Sequence, residues 1–413
     1  MVHAVRVDRS RRVAVAVAAA VAVAEAAVVL MRPRGGIIAP ASVDPGSYFT
    51  PEQIKRARDY RRGQLVLLAT SLAIDGALLA SLVRRPPRRL RGPFRRPVAA
   101  AGGAAAALSV GFTAAGLPVS AIGHRRSVRI GLSTQDWGPW LADAGKSTAI
   151  GTAFAGAGGA AAVGLMRRFP RGWWVGGSAA VVGLAVAMLY VGPVLLDPIF
   201  NRFDPLPEGQ AREDVFALAR EAGVEVGEVY EVDASRRTTA SNAYVTGLGA
   251  TKRVVLFDNL LEDFSRDEVR LVVAHELGHV HYRDVAHGLV YAALVAPAAT
   301  RAAAMLTLRL APPEERPGPA VLPALALSTA IVSFAVGIVA NQLSRRIEAR
   351  ADTFSLRLTD APRPFIDFER GITIKNVADP DPPRWLTALL ATHPPTVQRI
   401  GIAKAYEAGE RPA

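Results

Sequence analysis

Seven apolar runs constrain what this chain can fold into more than any other feature: residues 13–31, 64–83, 97–122, 147–166, 173–196, 285–308 and 321–343. Each is about twenty residues or longer, the length a helix needs to cross a ~30 Å hydrocarbon core. No water reaches backbone N–H and C=O groups there, so such runs must satisfy them internally as helices. The first run follows Arg9, Arg11 and Arg12 and exceeds the apolar stretch of a cleaved signal, so it reads as a retained helix. Composition agrees, with 50% of the 413 residues hydrophobic and a mean hydropathy of +0.22. The net charge of +13 belongs to the loops. Arginines crowd between the apolar runs, a distribution that fits membrane-bordering loops better than a nucleic-acid surface. The absence of cysteine excludes disulfides, thiolate metal sites and cysteine nucleophiles, leaving His, Asp and Glu for any metal. Heavy use of Ala, Val, Gly and Arg points to a GC-rich bacterial genome.

Between the fifth and sixth runs lies a polar insert, residues 197–284, opening on a proline-rich linker. Residues 213–222 have the spacing of an amphipathic helix closed by Gly223. Residues 226–232, 242–246 and 253–257 alternate as strands do. The insert ends on L-V-V-A-H-E-L-G-H-V-H (271–281), with Ser265 and Glu268 spaced as a capping box before it. His275-Glu276-Leu277-Gly278-His279 is an H-E-x-x-H motif. Residues four apart share a helix face, so His275 and His279 can present two imidazoles to one ion. Glu276 can then polarise a water there instead of binding the metal. A catalytic zinc takes three protein ligands and leaves one position open. In N-Q-L-S-R-R-I-E-A-R-A-D (341–352), after the last run, Glu348 can be the third. Asp352, one turn on, can accept a hydrogen bond from a ligand imidazole and fix its tautomer. Taken alone, an acidic pair among Arg345, Arg346 and Arg350 reads more simply as a surface ion-pair network.

Several stretches, in order, resemble one known family. They are I-F-N-R-F-D-P-L-P-E-G (199–209), S-N-A-Y-V-T-G-L (241–248), V-V-A-H-E-L-G-H-V (272–280), S-R-R-I-E-A-R-A-D (344–352), K-N-V-A-D (375–379) and T-H-P-P-T-V-Q-R-I (392–400). With the seven runs, they resemble the type I CAAX prenyl proteases. The resemblance implies a mainly α, polytopic membrane protein with about seven transmembrane helices and a small α+β zincin-like catalytic insert. It implies a zinc metalloendopeptidase with a gluzincin-type H-E-x-x-H…E site and one Zn2+ per chain. Carried over position by position, it makes His275, His279 and Glu348 the metal ligands. Glu276 becomes the general base that later protonates the leaving amine. Asp352 becomes the partner of a ligand histidine. Asn242 and Ala243 fall on a strand whose backbone pairs with an extended peptide. His393 falls near the metal, where it would steady an oxyanion. Arg399 falls where it would pair with Glu348 or orient the substrate. His281, two residues past the second ligand, is expected to point away from the metal. The family's spans enclose a hydrophilic chamber, which makes Glu25, Asp75 and Arg301 candidates to face one.

The expected division is a membrane region with five spans (1–196), the catalytic insert (197–284), spans six and seven (285–343) and a segment bearing the third ligand (344–413). An even number of spans separates the insert from Glu348, so both fall on one membrane side. Loop 84–96 holds seven arginines and no acid, and Arg167, Arg168 and Arg171 follow suit. By the positive-inside rule these loops are cytoplasmic and the site lies outside. Eukaryotic members of the family work at the cytosolic face, and segment 33–62 is itself basic, so charge alone leaves the orientation open. The expected partners are the bilayer, here a bacterial plasma membrane, and membrane-associated or hydrophobic peptides or proteins, with no nucleic acid. Two other readings compete. A site-2-type intramembrane protease also uses H-E-x-x-H, with an aspartate ligand in another span. A non-catalytic zinc-binding sensor or transporter would need neither Glu276 nor the N-A-Y strand. Asp267, Glu268 and Arg270 before the motif, with Arg283 and Asp284 after it, set its helix outside the bilayer core.

Overall fold

Helices of spanning length form wherever the apolar runs demand them, and several continue well past the bilayer. The computed structural model describes residues 2–247, 252–311 and 317–411, with side chains from residue 11 onward. Leu248 and the side chain of Arg9 lie outside the described residues. Five helices precede the insert: α1 (Val2–Met31), α2 (Pro51–Arg84), α3 (Pro97–Ile130), α4 (Trp137–Arg168) and α5 (Trp173–Val191). At Pro193 the ladder slips into a π-helical turn, Gly192–Leu196, before α6 (Asp197–Phe200). The insert continues as β1 (Phe203–Pro205), α7 (Gln210–Glu221), β2 (Glu228–Val232), β3 (Ala243–Thr246), β4 (Arg253–Phe257), α8 (Asp258–Asp263) and α9 (Arg266–His281). Then come α10 (Asp284–Leu310), α11 (Leu322–Thr359), α12 (Pro362–Lys375), α13 (Arg384–Leu390) and α14 (Thr396–Glu407). Among the described residues seven candidate spans result: α1 to α4, α5 with α6, α10, and α11.

Most of these helices overrun their apolar runs, and α2 and α11 do so the furthest. Thr50 and Gln53 form a capping box that starts α2 at Pro51, far before the lipid-facing stretch. α11 carries the seventh span and, unbroken, Glu348 and Asp352. In the membrane region α3 and α4 pack through small residues: a Cβ on Gly159 would sit 2.5 Å from that of Ala105. α1, α10 and α11 share Ala24, Ala27, Val28, Val295, Val339 and Leu343. Of the ionisable residues inside spans, Glu25 accepts from Gln342 Nε2 at 3.3 Å, the Arg301 guanidinium lies 5.5 Å from the Trp174 ring centre, and Asp75 is half-buried.

Among the described residues the insert holds four strands where three are expected, in the order β1-β2-β4-β3. β2 and β4 are parallel, and both outer strands are antiparallel to their neighbours. β1 escapes a reading by alternation because it is three residues long and ends on Pro205, a residue confined to sheet edges. β3 forms the other edge. α9 is capped by Ser265 and Glu268, as their spacing predicts. It is apolar nearly all round because two cores grip it. Val272, Val273 and Leu277 pack with Val229, Leu256, Val215 and Leu218. Leu271 packs with Leu356, Phe365, Ile400 and Ile402. Each such side chain contributes about 1.5–3 kcal/mol by burial, so the motif helix is firmly held. Gly278 lets α11 come close: a Cβ there would lie 3.1 Å from Phe354 Cδ1.

Candidate active site

The approach of α9 and α11 brings together the three acceptor atoms that the motif spacing singles out. His275 Nε2 and His279 Nε2 lie 3.2 Å apart, and Glu348 Oε2 lies 3.2 Å from the first and 3.7 Å from the second. Their orientation has a cause. Asp352 Oδ1 lies 2.9 Å from His275 Nδ1, and Asp284 Oδ2 lies 3.0 Å from His279 Nδ1. A carboxylate beside Nδ1 keeps the proton there and leaves the Nε2 lone pair free. Glu348 Oε2 is buried and has no hydrogen-bond donor among the described residues. Three acceptors converging without a donor between them fit a cation.

Asp352 stands where the sequence places it. Asp284 was not foreseen. It reaches His279 because Arg283 adopts a left-handed backbone, φ 54°, that folds α9 straight into α10. The only signal was a carboxylate five residues after the second histidine. Arg350 donates to Asp284 Oδ1 at 2.5 Å and lies over the Tyr282 ring at 3.9 Å. Arg399 corrects one expectation, since its ion pairs are not with Glu348. Its Nε and Nη2 donate to Asp352 at 2.9 and 2.5 Å, and Nη1 lies 2.6 Å from Glu369 Oε1. The reason is positional: α14 meets α11 a turn beyond Glu348, where Asp352 and the acid of α12 face it.

Glu276 is half-buried beside the cluster. Burial pushes its carboxyl above the usual range, opposed by the two histidines and by a hydrogen bond from the Val245 backbone. That bond also reveals which way β3 faces. Phe257 N donates to Asn242 O, and Tyr244 stands opposite Val255, so the intervening Ala243 and Val245 turn their backbone groups away from β4. His393 Nε2 lies 3.3 Å from Glu348 Oε2, with the ring 59% exposed at the mouth of the site. Arg345 steadies its segment by donating to Thr387 O and Ala391 O at 3.1 and 2.6 Å. His281 meets Ala222 O at 2.9 Å and lies against the Phe354 ring at a 35° tilt, apart from the three ligand atoms. A cavity of about 410 Å³ adjoins the cluster, lined by Asn242, His275, Glu276, Glu369, His393 and Arg399 among other residues.

Comparison with known proteins bears on this arrangement. The family model for peptidase family M48 matches residues 205–407, and that for the CAAX prenyl protease N-terminal region, five membrane helices, matches 98–202. The chain belongs to peptidase family M48. The metalloprotease YhfN of Bacillus subtilis is 29% identical to this family member over 378 residues, 88% of each chain. The rice CAAX prenyl protease 1 homolog is 30% identical over 230 residues, 52% of each chain. Yeast CAAX prenyl protease 1 is 39% identical over 103 residues, 25% of this chain and 23% of that one. The crystal structure of Ste24p from S. mikatae shares the fold, with a TM-score of 0.76 over 96% of this chain and 98% of that chain at 19% identity. This M48 chain is therefore a multi-pass membrane metallopeptidase, and its family implies a metal ion.

Proposed function

We propose that the chain is a zinc endopeptidase hydrolysing peptide bonds of membrane-associated or hydrophobic peptides and proteins at a bacterial plasma membrane. One observation carries the reading: His275, His279 and Glu348 place their ligand atoms within 4.8 Å of one another beside the half-buried Glu276. These three residues would hold one zinc ion, with Asp352 and Asp284 orienting the imidazoles. Zinc there would supply Lewis acidity, toward the scissile carbonyl and toward the proton of a water. Glu276 takes that proton on its carboxylate and returns it to the departing amine. His393 steadies the charge on the carbonyl oxygen from the mouth of the site. An extended peptide adds to the outer edge of β3, from Asn242 and Ala243 onward, and backbone pairing asks little of its side chains. Arg399 acts by holding Asp352 and not by touching substrate. The helix α9 is not among the candidate spans, which favours this reading over an intramembrane protease. The bacterial relative that aligns over most of both chains supports the assignment to a bacterial membrane. No prenyl group is required by this reading.

The test is cleavage of an unprenylated fluorogenic peptide by protein purified in detergent. Wild type is expected to contain zinc and to cleave. Glu276→Gln should keep zinc and lose at least about 10²-fold in kcat, the usual scale of a lost general base. Cleavage surviving in that variant, or a wild type without zinc by elemental analysis, overturns the proposal.

A further inference from the structure

Glu369 has no part in the mechanism above, yet it is 1% exposed and lines the same cavity as His275 and Glu276. Its surroundings there are largely apolar: Phe365, Phe368 and Ile372 of its own helix, with Leu260 and Val272. A carboxylate in such a place is costly to bury unless it is paired. Burial pushes its carboxyl up to about 7, with Arg399 pulling the other way. The pairing involves three helices. α11 supplies Asp352, α12 supplies Glu369, and α14 supplies the one guanidinium between them. Nε and Nη2 of Arg399 hydrogen-bond Asp352, and Nη1 stands 2.6 Å from Glu369 Oε1 as an ion pair, so one guanidinium ties the two carboxylates together. A turn further along α12, Thr373 Oγ1 meets Thr396 Oγ1 at 2.8 Å, in the first turn of α14 and directly after His393-Pro394-Pro395. Two consequences follow for the site. Arg399 is kept from swinging off Asp352 toward Glu348, and the start of α14, with His393 just before it, is pinned against α12.

We propose that Glu369 is a positioning residue for the peptidase reaction, acting through Arg399 to fix the Asp352–His275 pair and the segment carrying His393. The proposal rests on the zinc-peptidase reading above. Full-length protein in detergent is compared as wild type, Glu369→Gln, Glu369→Leu, Arg399→Leu and the Glu369→Leu/Arg399→Leu double variant. Zinc retention is measured against a competing chelator, and kcat and KM with the fluorogenic peptide. Glu369→Leu should hold zinc about 10–100-fold less tightly, the range for groups that support a ligand. Its kcat should fall in the same range with KM changed by less than about twofold, as expected when geometry and not substrate contact is lost. The near-isosteric Glu369→Gln keeps an acceptor for Nη1 and should fall between Glu369→Leu and wild type. The double variant should be no worse than Arg399→Leu alone, because the two act through one path. Unchanged zinc retention and kcat in folded Glu369→Gln and Glu369→Leu overturns the proposal. So does a rise in KM alone, which would make Glu369 a substrate contact, and so do additive losses in the double variant. The zinc arm needs no turnover, so a wild type that binds zinc and cleaves nothing sinks the peptidase reading while still deciding whether Glu369 supports His275.

Discussion

Asp352 and Asp284 do the same job from different helices, each holding one histidine by Nδ1. On the proposed assignment, Asp284→Asn should weaken zinc retention about 10–100-fold in a chelator competition. Asp267→Asn, at an acid in the first turn of α9, is the control and should leave retention unchanged. Equal retention in both would remove Asp284 from the site. The two acids also mark what residue types reveal and what they hide. Asp352 stands four residues after Glu348 on one helix, so periodicity alone puts the two on a common face. Asp284 lies beyond a break in the helix, and the break is made by Arg283 at φ 54°, a conformation that glycine or asparagine would have announced. Glu369 was hidden for another reason: its partner stands thirty positions away on α14, and nothing local to α12 distinguishes it from a solvated acid.

At the scale of elements, glycines mark where helices are pressed together. A Cβ on Gly278 would meet the ring of Phe354 at 3.1 Å, which a small shift of the ring can relieve. A Cβ on Gly401 would meet the backbone oxygen of Ala41 at 2.3 Å, and the Ala41 N–H is already bonded to Gly401 O. Backbone cannot give way as a ring can. Gly401→Ala should therefore cost about 1–3 kcal/mol, the range for overpacking, and Gly278→Ala less. Thermal unfolding of both variants checks the order; a reversed order would show that α14 is free to shift. The motif helix was legible because its capping box and apolar spacing are local signals. The sheet was legible only in part. Alternation exposed β2, β3 and β4, but strand order depends on which edges α7 and α9 cover, and β1 is too short to show a period.

For the whole molecule, the seven spans were the most legible feature, because a bilayer leaves an apolar run no alternative to a helix. The parity of spans, which sets Glu348 on the side of the insert, is required by the meeting of Glu348 with His275 and His279. What the sequence does not disclose is that span seven and the segment bearing Glu348 are one object. α11 is 38 residues long and unbroken. At 1.5 Å per residue it measures ~57 Å, nearly twice the ~30 Å hydrocarbon core. It is thus a stiff lever with one arm in lipid and the other bearing a carboxylate of the site. Acyl chains too short or too long for a span are accommodated by tilting it, and tilt at one arm of a lever becomes displacement at the other. Turnover in vesicles of graded acyl length should pass through an optimum, whereas a flat profile would mean that the two arms are mechanically uncoupled. Bilayer thickness then acts on the enzyme as an effector does, without binding anywhere near the reaction.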